Sequence, residues 1–358
     1  MIAVTLINLI SVFFTYLYSK NIFRKGFGIA ILILIVFFGI RYNYGSDYPG
    51  YLRIFEDINS TQLTIDFGAD NEIEPGWKVL NKLFSPLGFF TLVFFLTCFQ
   101  FVSIYYFIRR YVCLKYRYIA LFIYLFSFGY MLTMISMMRQ TLAMNILLWA
   151  VPFILEKKYL KSVILVVLAA QFHQSAYLML IMPLSLFLNE LGKKTYALIM
   201  FGLFIGAFVF QSQISSMMQI VIDDNFEKYN NYINGEGAKL GGGMGFLFNL
   251  AFFSFLVLGD KNDGNKWWLT KCLALSYVFI PFSFVLQLVG RLGMYWQLIG
   301  LPGIFNLYDS YGKKIEFKLL MFAFFFIMLH GYFTSFYDDL WRKGFMEYHS
   351  IFESTNWR

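Results

Sequence analysis

The sequence predicts an all-α protein that crosses a membrane many times. Of its 358 residues, 59% are hydrophobic and 45 are Phe, and the mean hydropathy is +0.61. A soluble domain of this length has too little interior to bury so much apolar surface. Several apolar runs approach the roughly 20 residues that a helix needs to cross the hydrocarbon core, whereas a membrane β-barrel would show short alternating segments. We therefore expect a single integral membrane domain over residues 1–358.

About twelve apolar segments are candidate transmembrane helices. Two of them, 159–172 and 174–188, are short, and a re-entrant or strongly bent path is the alternative to a crossing. The first run lacks a basic leader and a small-residue cleavage site, so it predicts a retained helix rather than a signal peptide. In order, the segments are 2–19, 27–40, 84–108, 118–137, 139–155, 159–172, 174–188, 196–210, 244–258, 267–290, 292–308 and 317–336.

Basic residues are distributed unevenly between alternate loops. Eighteen of the 29 Lys and Arg residues lie in one set of loops, all of them short. By the positive-inside rule this set is cytoplasmic, and both termini are then expected outside. The net charge of +8 is thus explained by membrane topology, and no nucleic-acid partner is expected. Three outer segments are long enough to build a site: the loops 41–83 and 211–243 and the tail 337–358.

Arg41, Arg139 and Arg291 each lie where an apolar run ends on the predicted outer face. An arginine at this depth is costly unless it meets water, protein or a ligand, and its planar fork matches phosphate oxygens. Three of them on one face predict a site for a strongly anionic group, and the phosphate esters of a membrane lipid fit best. Snorkelling of each side chain to the membrane surface is the alternative explanation.

The segment that follows Arg41 carries further candidate binding residues. Gly45 and the Pro49–Gly50 pair predict a sharp turn that would present Arg41 and Asp47 together. Tyrosines offer flat platforms for sugar rings, although an interfacial aromatic belt explains them as well. The tyrosines of this segment that could bind a sugar are Tyr42, Tyr44 and Tyr48.

His173 is one of only three histidines and lies at another predicted outer turn. No Cys, Asp or Glu is near it in sequence, so a zinc site is not expected, while proton transfer or hydrogen bonding stays open. We expect neither a metal nor a cofactor. No nucleotide-binding, zinc-protease or serine-hydrolase motif is present. The other polar residues near these predicted helix ends are Gln140, Ser175, Gln287 and Tyr295.

In their order along the chain, these motifs resemble those of the EpsG/Wzy-type polysaccharide polymerases. The shared elements are an early R-Y-x-x-G-x-D-Y segment at residues 41–48, an R-Q pair at 139–140, an H-x-S triplet at 173–175, and Arg291 with Tyr295. The resemblance extends from about residue 30 to about residue 310. It implies a membrane glycosyltransferase. An architecture like that of the GT-C glycosyltransferases is compatible with this resemblance.

The resemblance implies that oligosaccharide repeat units on undecaprenyl diphosphate are joined into O-antigen, capsule or another surface polysaccharide. The reaction would take place at the outer leaflet of a bacterial inner membrane, without a metal. Arg41, Arg139 and Arg291 would all suit the leaving diphosphate, or some of them would bind the diphosphate of the acceptor instead. Arg139 and Arg291 are the catalytic candidates, and Arg41 is a candidate for substrate binding. Asp47 and His173 would position or deprotonate the acceptor hydroxyl. The implied partners are the lipid-linked donor and acceptor, a flippase and a chain-length regulator.

The sequence alone leaves two alternative functions open. A flippase or transporter would place its key polar residues near the bilayer midplane, often in broken helices with internal repeats, whereas here the arginines end helices and no repeat is visible. A ligase of the O-antigen type uses nearly the same chemistry as a polymerase. The early segment at residues 41–48 favours the polymerase.

Overall fold

A computed structural model describes residues 1–60, 73–127, 130–210, 213, 243–259, 264–283, 287–337 and 344–353. The chain divides into two compact units, which are described separately below. Unit 1 comprises Met1–Leu180 and Phe324–Arg358, and unit 2 comprises Ile181–Ala323. The predicted outer loop 211–243 lies almost entirely outside the described residues.

Unit 1 is built around a central helix, α8. In α8, 78% of the residues are buried, against 28% in α1, so α8 forms the core of this unit. It packs against α5 and α9, while α1 packs against α2 and α6. The helices begin and end as follows: α1 Ile2–Ser19, α2 Gly26–Gly39, α3 Tyr48–Ser60, α4 Pro75–Phe84, α5 Phe89–Tyr111, α6 Arg117–Phe126, α7 Met131–Ser136, α8 Met138–Leu155 and α9 Tyr159–Ala170.

Unit 2 is centred on α12, which packs against its neighbours α11, α14 and α15. The 3-10 helix Gln174–Ile181 belongs to unit 1 except for its last residue, and a second 3-10 helix, Pro183–Asn189, lies in unit 2. The helices that follow are α10 Lys193–Val209, α11 Met244–Leu258, α12 Asn265–Val278, α13 Ile280–Ser283, α14 Gln287–Gly300, α15 Gly303–Tyr311 and α16 Ile315–Ser335, the last of which ends in unit 1.

The surface and interior polarity are those of a helical membrane protein. On α1 the buried face carries Asn8, Ser11 and Thr15, whereas Leu6 and Phe13 are exposed. In water this arrangement would be unfavourable, because apolar surface belongs inside. In lipid the helices associate through small and polar residues and leave their large apolar side chains outside. The structure is therefore consistent with the predicted all-α membrane fold.

The predicted number of about twelve crossings is not established. Among the described residues, four helices are long and apolar enough to span a membrane: α1, α5, α8 and α16. The predicted run 118–137 is divided between α6 and α7, and the run 292–308 between α14 and α15. The helix α9 has 12 residues, or about 18 Å of length, which is short of a ~30 Å hydrocarbon core as the sequence suggested.

Several loops of unit 1 meet at one end of the unit. The strands β1 (Arg41–Tyr42) and β2 (His349–Ser350) pair antiparallel, with Arg41 opposite Ser350. The Gly45 N–H donates to the Gly344 carbonyl over 2.9 Å, and the amino group of Met1 donates to the Met346 carbonyl over 2.8 Å. The chain start, the loop after α2 and the C-terminal tail thus share one end of this unit.

Loop 41–83 reaches the end of α9 through a glycine. The Gly76 N–H donates to the Gln171 carbonyl over 2.9 Å, and a Cβ at residue 76 would lie only 2.7 Å from that oxygen. A side chain at residue 76 would therefore push the start of α4 away from α9.

We predict that Gly76→Ala lowers the free energy of unfolding by about 1–3 kcal/mol, because the added methyl overpacks this contact. The measurement is the thermal unfolding midpoint of purified protein. The matched control is Gly50→Ala on α3, where a Cβ meets nothing within 4 Å and removal of a helical glycine stabilises by about 0.5–1 kcal/mol. An unchanged midpoint for Gly76→Ala would contradict the close approach.

Candidate active site

A buried carboxylate, Glu74, joins two of the predicted site residues. Arg139 Nη1 lies 2.6 Å from Glu74 Oε2, and His173 Nδ1 lies 3.4 Å from Glu74 Oε1. The Gln174 N–H also donates to Glu74 Oε1, over 3.1 Å. The Glu74 side chain is only 6% exposed, against 23% for Arg139 and 18% for His173. Arg139 and His173, which are separate motifs in the sequence, therefore form one cluster in unit 1.

Local backbone structure explains how Glu74 reaches this position. Glu74 is the N-cap residue of α4 and has an extended backbone, and Pro75 occupies the first helical position, where a missing N–H costs nothing. The carbonyl of Glu74 accepts the N–H groups of Trp77 and Lys78. Because Gly76 contacts Gln171 directly, the start of α4 is held against the end of α9, two residues before His173.

Tyr51 and Trp77 form an aromatic wall beside the cluster. The Arg139 guanidinium carbon lies 6.0 Å from the centre of the Tyr51 ring, within the range of a cation–π contact. The Arg139 N–H donates to the Tyr51 hydroxyl over a long 3.5 Å. The rings of Tyr51 and Trp77 are 5.5 Å apart. The ring of Tyr51 therefore limits where the guanidinium can move.

Electrostatics keep Glu74 ionised. Burial alone would raise the pKa of Glu74, but the interaction with His173 and the charge of Arg139 outweigh it, and the pKa lies below its usual value. Burial also raises the pKa of Tyr51, which Arg139 opposes and the nearby charge of Asp47 reinforces. The site thus holds a carboxylate between two basic groups, with a second carboxylate close to Tyr51.

Asp47 lies at the edge of this cluster. Its side chain is exposed, and its N–H donates to the Ser136 hydroxyl over 3.0 Å. The turn that carries it requires Gly45, whose φ of +115° is unfavourable for other residues. Asp47 therefore follows the sharp turn that the sequence predicts, and it is fixed to the junction of α7 and α8 that precedes Arg139.

Arg41 is placed differently from the prediction. Its side chain is 2% exposed, and it donates to the Phe38 carbonyl over 2.6 Å and to the Thr97 hydroxyl over 2.7 Å. The carbonyl end of α2 offers a cation a favourable environment. Arg41 and Asp47 are therefore not a pair in this structure. The cavity beside Arg41 has about 10 Å³, room for about one water, so no diphosphate fits there.

The tyrosines of the early segment mostly belong to the core. Tyr44 and Tyr48 are buried, and their rings pack against Phe345 and Phe89, each with centres 5.3 Å apart. In this structure their rings are in contact with other side chains of the core, and a role for them in sugar binding stays a prediction. Tyr42 is half-buried.

The remaining predicted residues lie near the cluster in sequence or belong to unit 2. Gln140 is buried next to Arg139, and Ser175 is half-buried in the 3-10 helix after His173. In unit 2, Arg291 is half-buried in the first turns of α14, and Tyr295 on the same helix is buried. Gln287 begins α14, and its side chain lies outside the described part. The placement of Arg291 beside Arg139 stays a prediction.

Unit 2 has a cavity of its own close to Arg291, of about 200 Å³. Two glycines of α14, Gly290 and Gly293, are among the residues that line it, and a Cβ at Gly293 would lie only 3.2 Å from Phe279. The polar groups that line it are Asn249, Ser276, Tyr277 and Gln297.

No group of three potential metal-binding side chains occurs among the described residues.

Glu74 is the member of the cluster that the sequence patterns do not single out. It lies in the predicted outer loop 41–83, 65 positions before Arg139. Two signals were present. Glu-Pro-Gly marks a helix start, and a half-buried arginine at a membrane helix end needs a negative partner.

The fold and the cluster together define a helical membrane protein with an ion-paired cationic site at its helix ends. The sequence model of the EpsG family matches residues 24–350, and the chain belongs to this family. Membership supports a membrane protein that polymerises polysaccharide. No curated protein and no solved structure matches the chain.

We predict that Glu74→Gln destabilises the protein at neutral pH by about 2 kcal/mol, because hydrogen bonds to a charged group are lost. The lowered pKa means that this contribution is complete above the ordinary pKa of a glutamate, about 4.3, and disappears as the pH falls through the lower, folded-state value. Unfolding midpoints of both proteins between pH 7 and pH 3 test this. A difference that stays constant over that range would contradict it.

Proposed function

We propose that this protein joins lipid-linked oligosaccharide repeat units into a surface polysaccharide at the outer leaflet of a bacterial inner membrane. The observation that carries the proposal is the cluster of Arg139, Glu74 and His173 in a chain of the EpsG family. The carrier that best fits this chemistry is undecaprenyl diphosphate. The partners would be the lipid-linked donor and acceptor, together with a flippase and a chain-length regulator.

The proposed reaction is a glycosyl transfer. The bond between the reducing-end C1 of the growing glycan and the diphosphate breaks, and its electron pair leaves with the lipid diphosphate. The oxygen of an acceptor hydroxyl forms a new bond to C1, and the hydroxyl proton passes to a base. Charge develops on the leaving diphosphate, so fixed cations placed there lower the barrier.

Arg139 is the described cation best suited to the leaving group, because it lies at the start of α8 and is partly exposed. Its orientation is fixed before a substrate arrives, which is what electrostatic stabilisation requires. His173 is the proposed base, and Asp47, which is exposed nearby, orients the acceptor. Arg291 is assigned to the second lipid diphosphate, on the strength of its predicted position on the same face.

We expect Arg139→Lys to reduce polymer by about tenfold or more at an unchanged protein level, since lysine retains the charge but loses the planar fork. Glycan profiling of a deletion strain that carries each variant measures this. The matched control is Arg110→Lys, whose arginine pairs with Glu156 at an exposed position and should leave polymer unchanged. Normal long-chain glycan from Arg139→Lys and Arg139→Ala alike would remove Arg139 from the site.

In the deletion strain itself, we expect single repeat units attached to the final acceptor, because export and ligation still operate when polymerisation is lost. Complete absence of surface glycan would favour export or ligation as the activity of this chain.

Because arginines supply the positive charge, we also expect purified protein to polymerise lipid-linked units fully in EDTA. The comparison is the same reaction with added Mg²⁺. A strict requirement for a divalent cation would contradict the assignment of the leaving-group charge to arginine.

A further inference from the structure

Both oxygens of Glu74 are already engaged in the protein. Oε2 lies 2.6 Å from Arg139 Nη1, and Oε1 accepts the Gln174 N–H and lies 3.4 Å from His173 Nδ1. A general base needs an oxygen that can reach the proton of the substrate. Glu74 is therefore badly placed to exchange a proton with an acceptor hydroxyl.

Its surroundings also make it a weak base. The pKa of Glu74 lies below its usual value, because His173 and Arg139 favour the charged form more than burial disfavours it. A carboxylate with a lowered pKa keeps its charge and takes up protons poorly at neutral pH. Its fixed negative charge is the property that the site can use.

We propose that Glu74 is a positioning residue that holds Arg139 and His173 in their working geometry and stays a carboxylate throughout the reaction. The inference rests on the proposed glycosyl transfer and adds a residue to it. Three backbone elements converge on this one side chain: the start of α4, the start of α8 and the turn after α9.

The role has a chemical consequence for His173. When the acceptor hydroxyl attacks C1, its proton moves to the imidazole, which becomes positively charged. That charge develops beside Glu74 and is stabilised by it, in the manner of the buried aspartate of a serine-protease triad. The carboxylate itself gains no proton. Glu74 thus acts on the reaction through its two neighbours.

The rigid start of α4 makes this positioning effective. Pro75 restricts the backbone after Glu74, and Gly76 is hydrogen-bonded to Gln171, so the carboxylate is held in a defined position relative to the turn that carries His173. A displacement of about 1 Å in a catalytic group costs up to about 100-fold in rate. Loss of the carboxylate should therefore reduce the rate substantially even though Glu74 touches no substrate.

A double-mutant cycle tests the proposal. Glu74→Gln, Arg139→Lys and the combined variant are purified, and the rate of polymer formation is measured with lipid-linked repeat units prepared from the native host. We expect Glu74→Gln to lose about 10–100-fold. Because Glu74 acts through Arg139, the combined variant should retain clearly more activity than the product of the two single losses. Losses that multiply fully would overturn the proposal.

The conservative variant separates charge from shape. Glu74→Asp retains the carboxylate and should restore part of the rate that Glu74→Gln loses, whereas equal rates for the two variants would contradict a role for the charge. If Glu74→Gln does not accumulate as folded protein, Glu74→Asp takes its place in the cycle. In the Glu74→Asp variant the side chain is one methylene shorter, so the carboxylate lies further from Arg139. A wild-type rate for this variant would then overturn the proposal.

An exposed ion pair of the same unit provides the matched control. Arg110 and Glu156 are 3.4 Å apart, and both side chains are more than 40% exposed. Glu156→Gln, Arg110→Lys and the variant that combines them should each polymerise at the wild-type rate, since exposed ion pairs contribute little to stability.

The possible results separate the two proposals. If Arg139→Lys and His173→Gln reduce polymer while Glu74→Gln does not, the inference about Glu74 fails and the proposed function stands. If the arginine and histidine variants polymerise normally, the proposed site fails whatever Glu74 does.

Discussion

In unit 1, Arg139 at the start of α8 forms an ion pair with Glu74, and this pair ties the start of α4 to α8. The pair is made at 2.6 Å between side chains that are mostly removed from solvent. Desolvation of two such groups is costly, and the attraction offsets this cost only when the remaining hydrogen-bonding capacity is also used. The Gln174 N–H, which donates to Oε1, contributes to that condition for the carboxylate, and His173 Nδ1 lies 3.4 Å from the same oxygen. Loop 41–83 is therefore tied to α8 and α9 by charge.

In the rest of unit 1 the distribution of polar and apolar side chains is that expected of a protein surrounded by lipid. Large side chains such as Leu6 and Phe13 are exposed, and the helix interface of α1 contains Asn8, Ser11 and Thr15. Close helix packing through small and polar groups supplies the cohesion that the hydrophobic effect supplies in water. The charged cluster lies at the start of α8 and at the turn after α9.

Much of this arrangement follows from the sequence. The apolar runs locate most of the helices, and the distribution of Lys and Arg predicts that the turns carrying Arg139 and His173 share a face, as they do in unit 1. The division of the run 118–137 into α6 and α7 does not follow, because the residues on both sides are equally apolar. Hydropathy gives the length of a run and says nothing of where its backbone bends.

The site was harder to predict than the helices, for a physical reason. Glu74 acts across 65 and 100 sequence positions, to Arg139 and Gln174, and no local pattern encodes such a contact. The burial of Arg41 depends on Thr97 of α5 and on a tail that returns from the far end of the chain. Whether an arginine at a helix end binds a ligand or supports the fold is decided by such distant partners.

The pairing of β1 with β2 has a consequence for the order of assembly. Arg41–Tyr42 lie after the second helix, whereas His349–Ser350 follow the last one, and Gly45 in the turn before Asp47 is bonded to Gly344. Helices enter a membrane in the order of their synthesis, with the N-terminal part first. The turn that presents Asp47 therefore acquires its full set of contacts only after α16 has been inserted. A partly synthesised chain would hold Arg139, Glu74 and His173 but lack the contacts that fix the turn of Asp47, so this end of unit 1 is completed only after the last helix has been made.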